Sequence, residues 1–222
     1  MSDSEDEGNS QQLKFTLVGD GTTGKTSLCS RLSNDSFGKQ YQQTLGLDFF
    51  LKRFNLPGNM AVTLQVWDIG GQQLGGKMLE TYLYGAHAVL LVYDMTNQSS
   101  FENLQDWLEI VQKHGVQNGK MPYLALIGNK KDLEHLRKVT KEHHADFQNK
   151  NDMTSFFLSA KSGDQVNFCF QKIACDILKI RLSKQDVEQS NQVVKAEIVK
   201  YKEIEAAGSS NANTKSSFCV LQ

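Results

Sequence analysis

The sequence predicts an α/β fold of three layers: a mostly parallel six-stranded sheet with one antiparallel edge strand, and helices on both faces. Three observations predict it. Strand-like and helix-like stretches alternate from Leu13 to about residue 180, and parallel strands need crossovers of that kind, which place helices on the sheet faces. The run Ala88-Val89-Leu90-Leu91-Val92-Tyr93 is apolar without alternation, as a strand buried on both faces should be. Two further stretches, Phe49–Phe54 and Val62–Trp67, meet around Pro57-Gly58. Proline presets φ for the first central turn position and glycine supplies a positive φ at the second, so this pair is an antiparallel hairpin.

The elements follow in order. Leu13, Phe15 and Leu17 alternate with polar neighbours and lead through Val18 into a glycine-rich turn, then a helical pattern through Leu28 and Leu32. The hairpin and the apolar run supply the next three strands. Ser99-Ser100-Phe101-Glu102 reads as a capping box, with Leu104, Trp107, Leu108 and Val111 at helical spacing behind it. Tyr123–Ile127 is a further buried strand entered from Pro122, and Phe156–Leu158 is a short last one. Val166, Phe170, Ile173 and Ile177 mark a closing helix. One domain over 13–180 is therefore expected, preceded by a disordered acidic arm over 1–12 that carries Asp3, Glu5, Asp6 and Glu7. Over 181–222 a variable tail is expected. Ile180, Val187, Val194 and Tyr201 are spaced by sevens, but Lys184, Asn191 and Glu205 are polar. That leaves a possible helix over 183–205, solvated or partner-binding, and no coiled coil.

Composition removes several classes. With 24 basic and 25 acidic side chains, the formal charge of −1 lacks the basic field of a nucleic-acid binder. The longest apolar run is far below the roughly 20 residues of a membrane helix. The four cysteines show no C-x-x-C spacing and no signal peptide opens the chain. A reducing cytosolic setting is expected, with Cys29, Cys169 and Cys175 as buried thiols.

Gly19-Asp20-Gly21-Thr22-Thr23-Gly24-Lys25-Thr26 matches G-x-x-x-x-G-K-[ST], after a strand and opening a helix. Successive amides from Gly21 through Ser27 and the helix N-terminus form an anion cradle. Lys25 adds a cation for the β- and γ-phosphates, and Thr26 a hydroxyl for Mg²⁺. The fold class becomes that of a P-loop NTPase. Asn129-Lys130-Lys131-Asp132 follows a buried strand. Guanine offers two adjacent donors that one carboxylate, Asp132, accepts together, whereas adenine would leave that carboxylate unpaired. Asp68, at a strand end, is placed to hold Mg²⁺ through water, and Thr44 offers a second hydroxyl to the metal. Gly71 can bring its amide to a γ-phosphate, and Gln72 can orient an attacking water.

With these motifs in place the chain resembles a small GTPase of the Ras superfamily, and within it a Rab, over about residues 13–180. Leu45-Gly46-Leu47-Asp48-Phe49, Leu64-Gln65-Val66-Trp67-Asp68, Tyr82-Leu83-Tyr84-Gly85-Ala86 and Tyr93-Asp94-Met95-Thr96 resemble Rab signature segments. The resemblance implies that Ser159-Ala160-Lys161 is the last guanine-contacting loop, with the Ala160 amide on the base oxygen and Lys161 against the ring. It implies further that Phe37 packs on the base, that Tyr41 closes over the phosphates and that Lys130 belongs to the base site. Phe49, Trp67 and Tyr82 resemble an effector-facing patch. The implied protein is a monomeric switch in intracellular trafficking that cycles between GTP and GDP with Mg²⁺. It would be served by an exchange factor, a GTPase-activating protein and effectors.

Departures from the Rab pattern accompany the match. Rabs usually read W-D-T-A-G-Q-E where this chain reads Trp67-Asp68-Ile69-Gly70-Gly71-Gln72-Gln73. The paired glycines predict a switch more permissive in φ/ψ. The terminal Cys219-Val220-Leu221-Gln222 is a C-a-a-X box in place of the paired cysteines of most Rabs, and points to a divergent Rab branch. A terminal Gln favours farnesyl on Cys219. With Lys215 the only basic residue close by, one lipid gives reversible binding to the cytoplasmic face of a membrane, and a prenyl-binding carrier is expected.

Overall fold

The computed structural model describes residues 11–38 and 40–183. The strands are β1 (Gln11–Val18), β2 (Leu47–Leu56), β3 (Met60–Ile69), β4 (Ala88–Asp94), β5 (Tyr123–Asn129) and β6 (Thr154–Phe157). They form one sheet in the order β2-β3-β1-β4-β5-β6. Only the edge strand β2 is antiparallel to its neighbour; every other pairing is parallel. The helices are α1 (Lys25–Asn34), α2 (Leu79–Leu83), α3 (Gln98–Glu102), α4 (Leu104–His114), α5 (Lys141–Lys150) and α6 (Val166–Ile177).

Because successive side chains of a strand point to opposite faces, each covered strand feeds two cores. Phe15, Leu17, Leu90, Val92 and Ile127 pack with Leu28 and Leu32 of α1 and Phe170 and Ile173 of α6. Val18, Val89, Leu91, Tyr93 and Leu126 pack on the other face with Leu83, Phe101, Leu104, Trp107 and Val111. Every residue of β4 is buried, which is why its sequence shows no polar alternation. The C-terminal ends of β1, β3, β4 and β5 therefore meet at one edge of the sheet, where loops converge and ligands bind in such folds.

Several local expectations are corrected. Gln11 and Gln12 are not part of an arm: they pair with Val62 and Thr63 in β3, and as exposed polar residues they carried no apolar signal. The remainder of the arm, the 184–205 part of the possible tail helix, and Cys219 lie outside the described residues. Ile180 and Leu182 pack against the first core beside Phe50 and Phe54, so the packed body runs slightly past residue 180. The hairpin pairs Leu56 with Met60. Gly58 has the expected positive φ of 82°, and Asn59 adds a second at 56°. The cap of the fourth-strand crossover is Asn97, whose side chain accepts from the Ser99 amide at 3.1 Å. Glu102 accepts from Gln98 instead of closing a capping box. The polar helix α5 escaped the apolar pattern because His144 is its one buried residue; Thr140, which accepts from the His143 amide, caps it.

His144 is 3% exposed, bonded through Nδ1 to the Tyr93 hydroxyl at 2.9 Å, and packed at a tilt on Phe157 with ring centroids 4.2 Å apart. Burial, aided by the Arg137 charge, lowers its pKa to about 4. The unfolded chain takes up this proton near pH 6.5 and the folded chain only near 4. Stability is therefore full above pH 6.5 and falls as pH drops through that window. Unfolding measured against pH should show a flatter acid limb in His144→Phe than in wild type. Across the whole window the difference should reach about 3 kcal/mol; parallel limbs would refute it.

Candidate functional site

The first loop at the sheet edge is shaped by approaches that leave no space for side chains. A Cβ on Gly19, whose φ is 133°, would stand 2.1 Å from the Val92 carbonyl oxygen, and one on Gly24 would stand 2.5 Å from Asn129 Nδ2. Gly24 precedes α1 in a left-handed conformation and no side chain caps that helix, so its first-turn N–H groups and dipole are available to an anion. Lys25, 5% exposed, donates from Nζ to the carbonyls of Gly19 (2.6 Å) and Asp20 (2.8 Å). Burial pushes its pKa down, and the charges of Asp68 and Asp20 oppose the shift.

Beside it stands an all-oxygen set. Thr26 Oγ1 lies 2.7 Å from Thr44 Oγ1 and donates to Asp68 Oδ2 at 2.5 Å, and Thr44 Oγ1 approaches the same oxygen at 3.4 Å. Asp68 is fully buried, and its Oδ1 has no hydrogen-bond partner among the described residues. Burial pushes its carboxyl pKa up, while the Thr26 hydrogen bond and Lys25 hold it down. One carboxylate with two hydroxyls suits Mg²⁺, a hard cation that keeps waters and takes few protein ligands besides phosphate oxygens.

The opposite wall is tied to this loop by Asn129. Its Nδ2 donates to the Thr23 carbonyl at 2.8 Å, and its Oδ1 accepts from the Ala160 amide at 3.1 Å. The Ala160 amide, expected on a base oxygen, is thus engaged with Asn129. Ser159 is buried, and its hydroxyl donates to Asp132 Oδ1 at 2.6 Å, orienting that carboxylate; Lys161 Nζ lies 3.8 Å from Oδ2. Lys130, at a positive φ of 68°, pairs with Asp94 at 2.7 Å. Sequence reasoning missed Arg31. From α1 it donates to the carbonyls of Ala160 (3.0 Å) and Lys161 (2.8 Å) and so fastens the last loop.

Between these walls is a cleft of about 460 Å³. Its lining includes Gly21, Thr22, Gly24, Lys25, Thr26 and Ser27 on the phosphate-loop side, and Phe37, Tyr41, Thr44, Gly71 and Gln72 over it. Asn129, Lys130, Asp132, Ala160 and Lys161 line the far end. Thr23, Asp68 and Ser159 stand one layer behind, each bonded to a residue that lines the cleft or to its loop. On the outer face Phe49 is half exposed and meets Trp67 edge-on, with ring centroids 5.9 Å apart. Tyr82 packs instead against the second core.

A model of the Ras family matches residues 14–179. Ras-related protein Rab-28 of Caenorhabditis elegans is 45% identical over 197 residues, covering 89% of this chain and 79% of that one. The chain belongs to the Ras family, among its Rab GTPases. The Ypt/Rab-type GTPase YPT7 of Saccharomyces cerevisiae is 36% identical over 75% of this chain and 82% of its own. Ras-related protein RABA2a of Arabidopsis thaliana is 32% identical over 93% of both. As a Rab GTPase the chain is a small GTP-hydrolysing enzyme. The divergent Rab branch to which the combined departures from the Rab pattern point, the Rab twenty-eight branch, agrees with the first of these relatives.

The paired glycines of this Rab are used for contact, not for backbone freedom. Neither has a positive φ. A Cβ on Gly70 would stand 2.5 Å from the Thr44 carbonyl oxygen, and the Gly70 amide donates to the Gly46 carbonyl at 2.9 Å. A Cβ on Gly71 would stand 2.0 Å from the Gly21 nitrogen. The segment after β3 thus lies against the Thr44 segment on one side and the phosphate loop on the other. In Gly70→Ala the obstacle is backbone, which cannot swing away, and overpacking of this kind costs about 1–3 kcal/mol. The melting temperature should fall by about 3–10 °C; an unchanged value would show that the Thr44 segment yields freely.

Proposed function

We propose that the cleft holds GTP or GDP with Mg²⁺ and that the chain acts as a membrane-anchored switch in intracellular trafficking. The observation that carries this reading is one cleft with Lys25 buried at one end and the oriented carboxylate of Asp132 at the other. A guanine nucleotide has the matching polarity: phosphates at the first end, two adjacent base donors at the second.

The residues then divide the work. Gly21 through Ser27 supply amides and a helix N-terminus to the phosphates, and Lys25, steadied by the Gly19 and Asp20 carbonyls, supplies a cation. Thr26, Thr44 and Asp68 would hold Mg²⁺, which neutralises charge on the β- and γ-phosphates. Gly71 brings its amide to the γ-phosphate, and Gln72, exposed at the cleft, orients the attacking water. Phe37 and Lys161 flank the base, with Tyr41 over the phosphates. No arginine occurs over 32–52 or 54–136, so intrinsic hydrolysis is slow and an activating protein supplies the missing charge. Loss of the γ-phosphate releases the segments around Thr44 and Gly71, which effectors and an exchange factor read. Cys219 carries a farnesyl group that gives a reversible hold on the cytoplasmic face of a membrane, with a prenyl-binding carrier in the cytosol.

Single-turnover hydrolysis with the full chain tests the assignment. Gln72→Leu should slow GTP cleavage about tenfold or more while GTP and GDP affinities stay within about twofold of wild type. Equal cleavage by both proteins would remove Gln72 from the mechanism.

A further inference from the structure

Asp20 is a carboxylate inside a loop that serves as an anion cradle. Its carbonyl oxygen accepts from Lys25 Nζ at 2.8 Å and from Thr23 Oγ1 at 2.9 Å. Its side chain is turned the other way, toward α4. Oδ1 accepts the indole N–H of Trp107 at 3.0 Å, and Oδ2 accepts from Asn103 Nδ2 at 2.6 Å. Both carboxylate oxygens are therefore held by donors from the crossover between β4 and β5. The Trp107 end of this clamp is rigid, because the ring is fully buried in the second core. The Asn103 end sits at the junction of α3 and α4.

Two consequences follow for the loop. The Asp20 charge acts on Lys25, so a released carboxylate would compete with phosphate for that ammonium. The clamp also fixes the peptide joining Asp20 to Gly21, which is the surface that Gly71 packs against. Hydrogen bonds to a charged acceptor are about twice as strong as neutral ones, so two of them can hold a side chain away from a nearby cation.

We infer that Asn103 and Trp107 are positioning residues for the nucleotide: they grip Asp20, hold its carboxylate out of direct contact with Lys25 and seat the phosphate loop against Gly71. This rests on the reading of Gly19 through Thr26 as the phosphate loop. The residue beyond the clamp, Gly21, faces Gly71, so the effect is greatest where a third phosphate adds charge. Loss of the clamp weakens GTP more than GDP.

The test exchanges the two partners. Asn103→Asp sets a second carboxylate against Asp20 across the 2.6 Å gap, and Asn103 is exposed, so folding is not at stake. Stopped-flow release of labelled nucleotide from the full chain should be about tenfold faster for GTP, with the ratio of GTP to GDP affinity reduced several-fold. D20N/N103D restores a carboxylate facing an amide with roles exchanged, and should return both readouts to within about twofold of wild type. Trp107→Phe keeps an aromatic side chain, smaller than the indole, and removes one donor, and should fall between wild type and Asn103→Asp. Unchanged release in Asn103→Asp, or a double variant as impaired as the single, would overturn the inference. Wild-type protein with no affinity for guanine nucleotides would overturn the reading of the loop and the inference with it.

Discussion

The ammonium of Lys25, held almost entirely out of water at the ends of parallel strands, sets the terms for the rest of the molecule. Burying an ion costs several kcal/mol even after relaxation, and here the offset comes from two main-chain carbonyls and the nearby carboxylates of Asp68 and Asp20. Carbonyls can converge on one ammonium only if the chain turns back sharply. Gly19 permits that turn by lying against the Val92 carbonyl, where no other residue fits. The sheet in turn must deliver β1, β3 and β4 to one edge in register, which the two apolar cores secure.

From that point the site is built outward as one body. Asn129 joins the phosphate loop to the last loop through Thr23 and Ala160, and Arg31 joins α1 to the same last loop. Gly70 and Gly71 set the segment after β3 between the Thr44 segment and Gly21. In the proposed reading, a change of charge beside Lys25 would be felt at the main-chain surfaces that these glycines hold together. At the far end of the cleft Asp132 is braced by Ser159. The division suits a switch: selectivity on braced residues, signalling on segments held by a few close contacts.

The sheet was legible because burial on both faces leaves a run such as Ala88–Tyr93 with no polar residue, and because Pro57-Gly58 permits one kind of reversal. The cleft was legible where its chemistry is local: Gly19 through Thr26 and Asn129 through Asp132 are short strings whose spacing is the mechanism. What escaped depends on neighbours far away in the chain. Gln11 and Gln12 join β1 through main-chain bonds that polar side chains do not advertise. α5 contributes a single buried histidine. The roles of Gly70 and Gly71 were misread as conformational freedom, because only the folded molecule shows which backbones come within reach of them. Arg31 and the Asp20 clamp are hydrogen bonds across more than 80 residues of sequence.

The central claim is that Asp132 chooses the base while Lys25 holds the phosphates, and exchanging the base tests it most directly. Affinities of wild type and Asp132→Asn for guanosine and xanthosine triphosphates, measured in Mg²⁺ by competition with adenosine triphosphate as a third competitor, should cross over. The variant should lose guanine affinity by about 100-fold or more and gain xanthine, whose second carbonyl accepts from the new amide. Retained guanine preference in the variant, or a wild-type preference for adenine, would contradict the account.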